Sequence, residues 1–128
     1  MEDIININDL KKIIKEFTAK RDWEKFHDPK NLSMSVACEA GELLEIFQWM
    51  TSNESLVAHK NEAIKEKAAQ ELSDIFLNLI RIADLMNINV HEAIIKKIEL
   101  NNKKYPKDKV MGSLDFYFKN HGITQIER

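Results

Sequence analysis

The chain carries two acidic pairs of equal spacing, Glu39 with Glu42 and Glu71 with Asp74, each set in a stretch of helical hydrophobic periodicity. At about 100° per residue, Val36, Ala40, Leu43, Leu44 and Phe47 gather on one face of the first stretch. Glu39 lies on the flank of that face, roughly 80° from its centre, and Glu42 a further roughly 60° around. Glu45 falls nearly opposite, toward solvent. In the second stretch Leu72, Ile75, Phe76 and Leu79 form the apolar stripe, and Glu71 and Asp74 take the same angular places. Asn78, seven residues after Glu71 and four after Asp74, continues that flank. Two such helices packed antiparallel through their apolar faces bring the flanks together as a cluster of four carboxylates. Like charges that close repel and raise one another's pKa values, so the cluster needs a counter-charge. A hard divalent cation supplies it. Mg²⁺ accepts carboxylate oxygens, keeps several waters and commonly shares its shell with substrate phosphates.

Taken singly, each acidic pair also describes an ordinary solvated helix face, and spacing alone does not choose between the two. The donor types do restrict the metal. One cysteine and four histidines offer no thiolate or imidazole set for zinc, which leaves Mg²⁺, with Mn²⁺ as a substitute. A carboxylate-bridged di-iron bundle ideally uses two Glu-x-x-His motifs. The chain has one, Glu24 with His27, just ahead of a proline break.

The elements that must position these acids are helices. Three glycines and two prolines in 128 residues leave few turns. Periodicity predicts a first helix from about Asn8, its N-cap, to Lys20, with Leu10, Ile13, Ile14 and Phe17 on one side. Asp28-Pro29 breaks the chain before the helix that holds Glu39 and Glu42, which runs to about Met50. The stretch TSNES reads as a loop. The helix of Glu71 and Asp74 extends from roughly Asn61 to Met86, and Asn89 with Glu92 has the spacing of a capping box for a fourth. That one carries Val90, Ile94 and Ile98 and ends near Lys104, because Pro106 cannot continue it. The expected fold is all-α and four-helix-bundle-like. It forms a single domain over residues 1–128, with a core at about 8–106 and a tail at 107–128, where LDFYF reads as a helical turn or a packing arm.

Composition sets the remaining bounds. With 44% hydrophobic and 31% charged residues the chain is an ordinary globular one, long enough for one real core. A formal net charge of −2 supplies no global positive field for nucleic acid or anionic membrane. No apolar run approaches the length of a membrane span, and no leader pattern opens the chain. Cys38, the lone cysteine, reads as a small buried hydrophobe in a reducing compartment. The expected location is the cytoplasm. No Gly-rich phosphate loop is present, so P-loop and Rossmann chemistry lack their core.

Four segments in fixed order, RDWEKFHDPKNL, EAGELLEIFQW, QELSDIFLNLI and KKIELNNKKYP, resemble the MazG-like superfamily of all-α nucleoside triphosphate pyrophosphohydrolases, and its dCTP pyrophosphatase branch in particular. The resemblance runs from about Arg21 to Pro106. It implies that Glu39, Glu42, Glu71 and Asp74 are the metal acids, holding Mg²⁺ against a triphosphate. It implies that Trp23, His27 and Trp49 surround the base, and that Lys97, Asn101, Lys104 and Tyr105, followed by Pro106, form the family's late-helix pattern. There Lys97 and Lys104 neighbour phosphate, and Asn101 touches phosphate or a metal-bound water. Where the dCTP branch has a histidine on the first helix this chain has Ile14, and where it has a tyrosine four residues after the ligand aspartate it has Asn78. Both positions line the base or sugar side, so the metal chemistry carries over while the nucleobase preference stays open.

The implied reaction is Mg²⁺-dependent hydrolysis of a deoxynucleoside triphosphate, dCTP or a modified dCTP, between the α- and β-phosphates, giving the monophosphate and pyrophosphate. One of the four carboxylates doubles as the base. Family members are usually dimers or tetramers with sites completed across subunits, so a homodimer or homotetramer is expected. The competing expectation is a non-catalytic helical module that keeps the fold and binds a nucleotide or a protein. Retention of all four acids favours the enzyme.

Overall fold

Every regular element in the computed structural model, which describes residues 6–122, is helical. The first helix, α1 (Ile7–Ala19), is capped by Asn6, whose extended backbone lets its side chain accept from the Asp9 N–H at 3.0 Å. Its cap therefore lies two residues before the expected Asn8. Asp22 then takes the left-handed conformation (φ 53°), which aspartate tolerates better than most residues, and a short 3₁₀ turn follows at Glu24–Phe26. The Asp28 side chain caps α2 (Pro29–Phe47) by accepting from the Asn31 N–H at 2.7 Å, and Pro29 sits at the first helical position, where its missing N–H costs nothing.

TSNES is a helix rather than a loop. Thr51 and Glu54 bond each other's backbone N–H groups in a capping box that starts α3 (Ser52–Leu56). A 3₁₀ turn at Ala58–Lys60 leads to Asn61, which caps α4 (Glu62–Leu85). The chain leaves α4 through Asn87 in the left-handed region (φ 54°).

Contacts group the chain into two units, Met1–Ile88 and Asn89–Arg128. In the first unit, α2 and α4 form the main packed pair, and α1 lies against α4. The pair is antiparallel: Leu32, early in α2, shares a cavity with Leu77, Asn78 and Arg81, late in α4. At the other end, Glu42, Glu45 and Ile46 meet Lys67 and Glu71. Ile14, Leu32, Ala58, Ile80 and Ala83 are the buried apolar residues, joined by Thr18, whose hydroxyl donates to the Ile14 carbonyl at 2.9 Å.

The apolar faces are only partly covered by the chain itself. Leu44 is 63% exposed and Phe76 58%, and Leu72 and Leu79 are exposed as well. Cys38 is exposed too, correcting the expectation of a buried thiol. An apolar stripe about 100° wide on each helix exceeds what one facing helix covers. Surplus hydrophobic surface is the consequence.

The second unit begins with Asn89, whose side chain accepts from the Glu92 N–H at 3.1 Å and caps α5 (Val90–Lys104). Two short helices follow, α6 (Lys107–Val110) and α7 (Asp115–Asn120), so most of LDFYF is helical. Residues 123–128 of the tail lie outside the described residues. Among the described residues no helix is long and apolar enough to cross a membrane.

Candidate active site

The α2–α4 pairing does what the angular placement required. Carboxylate oxygens of Glu39, Glu42 and Glu71 lie within 4.8 Å of one another, with Glu71 buried, Glu39 half-buried and Glu42 exposed. Asp74 stands outside this trio and is exposed, but its charge still bears on Glu39. Three of the four expected acids thus converge, with the fourth beside them.

The electrostatics of the cluster are strained. Glu39 Oε2 and Glu71 Oε2 are screened from solvent and have no hydrogen-bond partner among the described residues. Ionised carboxylates only accept, so they cannot satisfy one another. The cluster answers by holding a proton. Glu39 is pushed up from 4.5 to about 7, first because its carboxyl form can share a hydrogen bond with Glu42. Burial, a hydrogen bond with Glu71 and the charges of Glu42 and Asp74 add to the rise. One cation is near: Lys67 Nζ lies 3.6 Å from Glu71 Oε1, a neighbour that the sequence reading did not single out. Its side chain is 62% exposed, so its charge is largely solvated and only partly offsets the acids.

A pH prediction follows from Glu39. With the cations removed, the folded state keeps a proton near pH 7 that the unfolded chain releases near 4.5. Stability therefore falls as pH rises across that window. Thermal melts in chelator are expected to show the midpoint declining from pH 4.5 to 7, with a flatter profile in Glu39→Gln. A midpoint that climbs through the window in the wild type and is unchanged in the variant contradicts this.

The second feature is a cavity of about 300 Å³ lined by residues of α1, α2, α4 and the segment between α1 and α2. Trp23 and His27, expected around a base, are among its walls, as are Ile14 and Asn78, expected on the base or sugar side. Trp23 meets Phe17 edge-on with centroids 5.9 Å apart, and the Arg21 guanidinium stacks 3.7 Å above the Phe17 ring. His27 Nδ1 is buried and without a partner among the described residues. Arg81 also lines the cavity, and the sequence reading missed it. It lies seven residues after Asp74, on the same helix flank, where a solvated arginine is the ordinary expectation. Its burial is visible only in the structure.

Trp49 lines neither this cavity nor the cleft beside the acids, and it is 90% exposed. In the second unit Lys97, Asn101 and Lys104 recur at four and three residues along one face of exposed α5. Tyr105 is half-buried within that unit, stacked 5.9 Å from Tyr117 and 6.4 Å from His121.

Comparison with known proteins meets this geometry from another side. The chain is similar to dCTP pyrophosphatase 1 from Homo sapiens, at 36% identity over 78% of this chain and 59% of that protein. It is 37% identical to the Mus musculus protein of the same name, over 84% of this chain and 63% of that one. The chain thus spans about three fifths of the length of these curated relatives. Among solved structures, a pyrophosphatase from Archaeoglobus fulgidus is similar with a TM-score of 0.74 and 38% identity, covering 84% of this chain and 98% of that one. The MazG-like family model matches residues 34–114, which hold all four acids and the whole of α5. By fold, by sequence and by the helix pair that carries its carboxylates, the chain belongs to the MazG-like family.

Proposed function

We propose that the protein is a divalent-metal-dependent nucleotide pyrophosphohydrolase, cleaving a deoxynucleoside triphosphate to the monophosphate and pyrophosphate, with dCTP and modified dCTP the first substrates to consider. The carrying observation is the convergence of Glu39, Glu42 and Glu71 within 4.8 Å, with two buried carboxylate oxygens lacking partners. All-oxygen donors of high negative charge fit Mg²⁺, with Mn²⁺ as a substitute, and Asp74 adds its charge beside the trio. Bound there, such a cation neutralises charge developing on phosphate and acidifies a water.

The chain's own residues supply the rest. One of the four carboxylates would take the proton from an attacking water. Trp23 offers a flat aromatic wall for a base, with His27 and Asn78 as polar neighbours in the same cavity. Leu32 precedes Glu39 by seven residues and Asn78 follows Glu71 by seven, so cavity and acids lie roughly 10 Å apart along both helices. That is a span of the kind a sugar and its phosphates bridge. A phosphate role for Lys97, Asn101 and Lys104, which the family resemblance implies, belongs to the same proposal; the three share one face of α5. The similar dCTP pyrophosphatases and the similar pyrophosphatase structure support the reaction class.

Incubation with each dNTP and Mg²⁺, following both products, tests the reading. Equimolar monophosphate and pyrophosphate are expected from at least one nucleotide. Silence across the panel, modified cytidine triphosphates included, would sink it.

A homo-oligomer completes the proposal. Exposed Leu44, Leu72, Phe76 and Leu79 on α2 and α4, and Trp49 standing free of its own cavity, fit a surface that a second copy covers and a site that it finishes. Light scattering is expected to give at least twice the mass of one chain; a clean monomer counts against the assembly. The exposed, unpaired Cys38 suits a reducing cytoplasm.

A further inference from the structure

Arg81 is the least expected group in the cavity. Its residue is only 6% exposed, yet it sits among Ile13, Ile14, Leu32 and Leu77, an apolar lining for a permanently charged guanidinium. One nitrogen is engaged: Nη1 donates to Asp84 Oδ2 at 3.3 Å, a long bond to a carboxylate whose side chain is 31% exposed. Nε is buried with no partner among the described residues. A buried donor on a charged group is costly when unmet, and native chains rarely keep one without a partner. The His27 Nδ1 beside the same cavity is unmet as well. With Trp23 as a flat wall and about 300 Å³ of space, the cavity fits an aromatic heterocycle presenting polar edge atoms.

We infer that Arg81 recognises the nucleobase, its guanidinium donating to an exocyclic carbonyl, so that the cavity takes carbonyl-bearing bases in preference to adenine. This rests on the nucleotide reading proposed above. Arginine has donors only, so its ligand must bring an acceptor. Cytosine, uracil, thymine and guanine each bring an exocyclic oxygen. Adenine has no carbonyl: its acceptors are ring nitrogens, and on its amino edge a donor would face the donors of the guanidinium. A phosphate is the poorer occupant, because the mostly apolar wall would strip its hydration with little but Arg81 to replace it.

The experiment compares kcat and KM for the four dNTPs and an abasic deoxyribose triphosphate, in the wild type, Arg81→Met and Arg81→Lys, with circular dichroism to verify folding. In the wild type, dATP is expected to trail the best carbonyl-bearing nucleotide by about 10-fold or more in kcat/KM. Arg81→Met should lower kcat/KM for that nucleotide by about 10- to 100-fold, mostly through KM, and leave the abasic substrate nearly unchanged. Arg81→Lys keeps the charge but loses the planar fork of donors, so it should show the same base-dependent loss. A purely structural arginine would depress every substrate alike. Equal losses on the abasic substrate, or dATP turned over as well as the others by the wild type, overturn the role of Arg81. Should either variant fail to fold, the other and the wild-type ranking still decide. No product from any nucleotide in the wild type overturns the nucleotide reading, and this inference with it.

Discussion

Glu71→Gln is expected to slow pyrophosphate release by about 10²- to 10³-fold while leaving the helical content intact. The substitution is nearly isosteric, so a residue that is 6% exposed keeps its packing volume. What disappears is a buried carboxylate oxygen without a partner among the described residues. A neutral amide cannot provide the charge a divalent cation selects, and it sets a donor where the cation would stand. Stability should move the other way. Fewer like charges crowd Glu39, and the lost ion pair with the largely solvated Lys67, at 3.6 Å, contributes little. In chelator the variant should melt at or above the wild-type midpoint, and added Mg²⁺ should raise the wild type more than the variant. Residues held for function at a cost to stability behave in this way. Unchanged turnover, or an equal Mg²⁺-induced shift in both proteins, would remove Glu71 from the site.

The second large effect concerns the fold. Leu32→Ala should cost about 2–4 kcal/mol in urea unfolding, lowering the thermal midpoint by roughly 10 °C. Leu32, 3% exposed, is the most completely covered large apolar side chain of the first unit. It lies where α1, α2 and α4 converge and lines the cavity with Ile14 and Leu77. Truncation there adds empty volume to a space that already exists, so neighbours gain little by closing in. Because the same side chain forms part of the proposed base wall, KM should rise more than kcat falls. A loss below about 0.5 kcal/mol would mean that this junction is not a core.

Much of the fold is local and therefore legible. Asp28, Asn61 and Asn89 are caps whose side chains accept from the backbone N–H three residues on, and no distant partner is needed to read them. The α3 helix was legible in the same way, since Thr51 and Glu54 have capping-box spacing. It escaped because its five residues carry too little periodicity to register as a helix. The acids were legible for a different reason: Glu39 and Glu42 repeat the angular placement of Glu71 and Asp74, and helix geometry preserves that relation wherever the helices go.

Burial belongs to no single helix, and there the sequence stops. Glu71 and Asp74 share a flank, yet Glu71 is buried and Asp74 exposed, because depth depends on where the α2 flank crosses α4. Arg81 continues that flank by another two turns and reads as a solvated charge until α1 and Leu32 enclose it. Cys38 and Leu44 read as core from their period and stand exposed, since the facing helix of their own unit does not cover them. The sequence by itself determined the helices, their caps and which carboxylates share a face. Only the tertiary structure decided which became a converging trio, and that an arginine would be enclosed beside a tryptophan and a histidine. Local hydrogen bonding and helical period are properties of neighbouring residues; desolvation is a property of whatever packs on top of them.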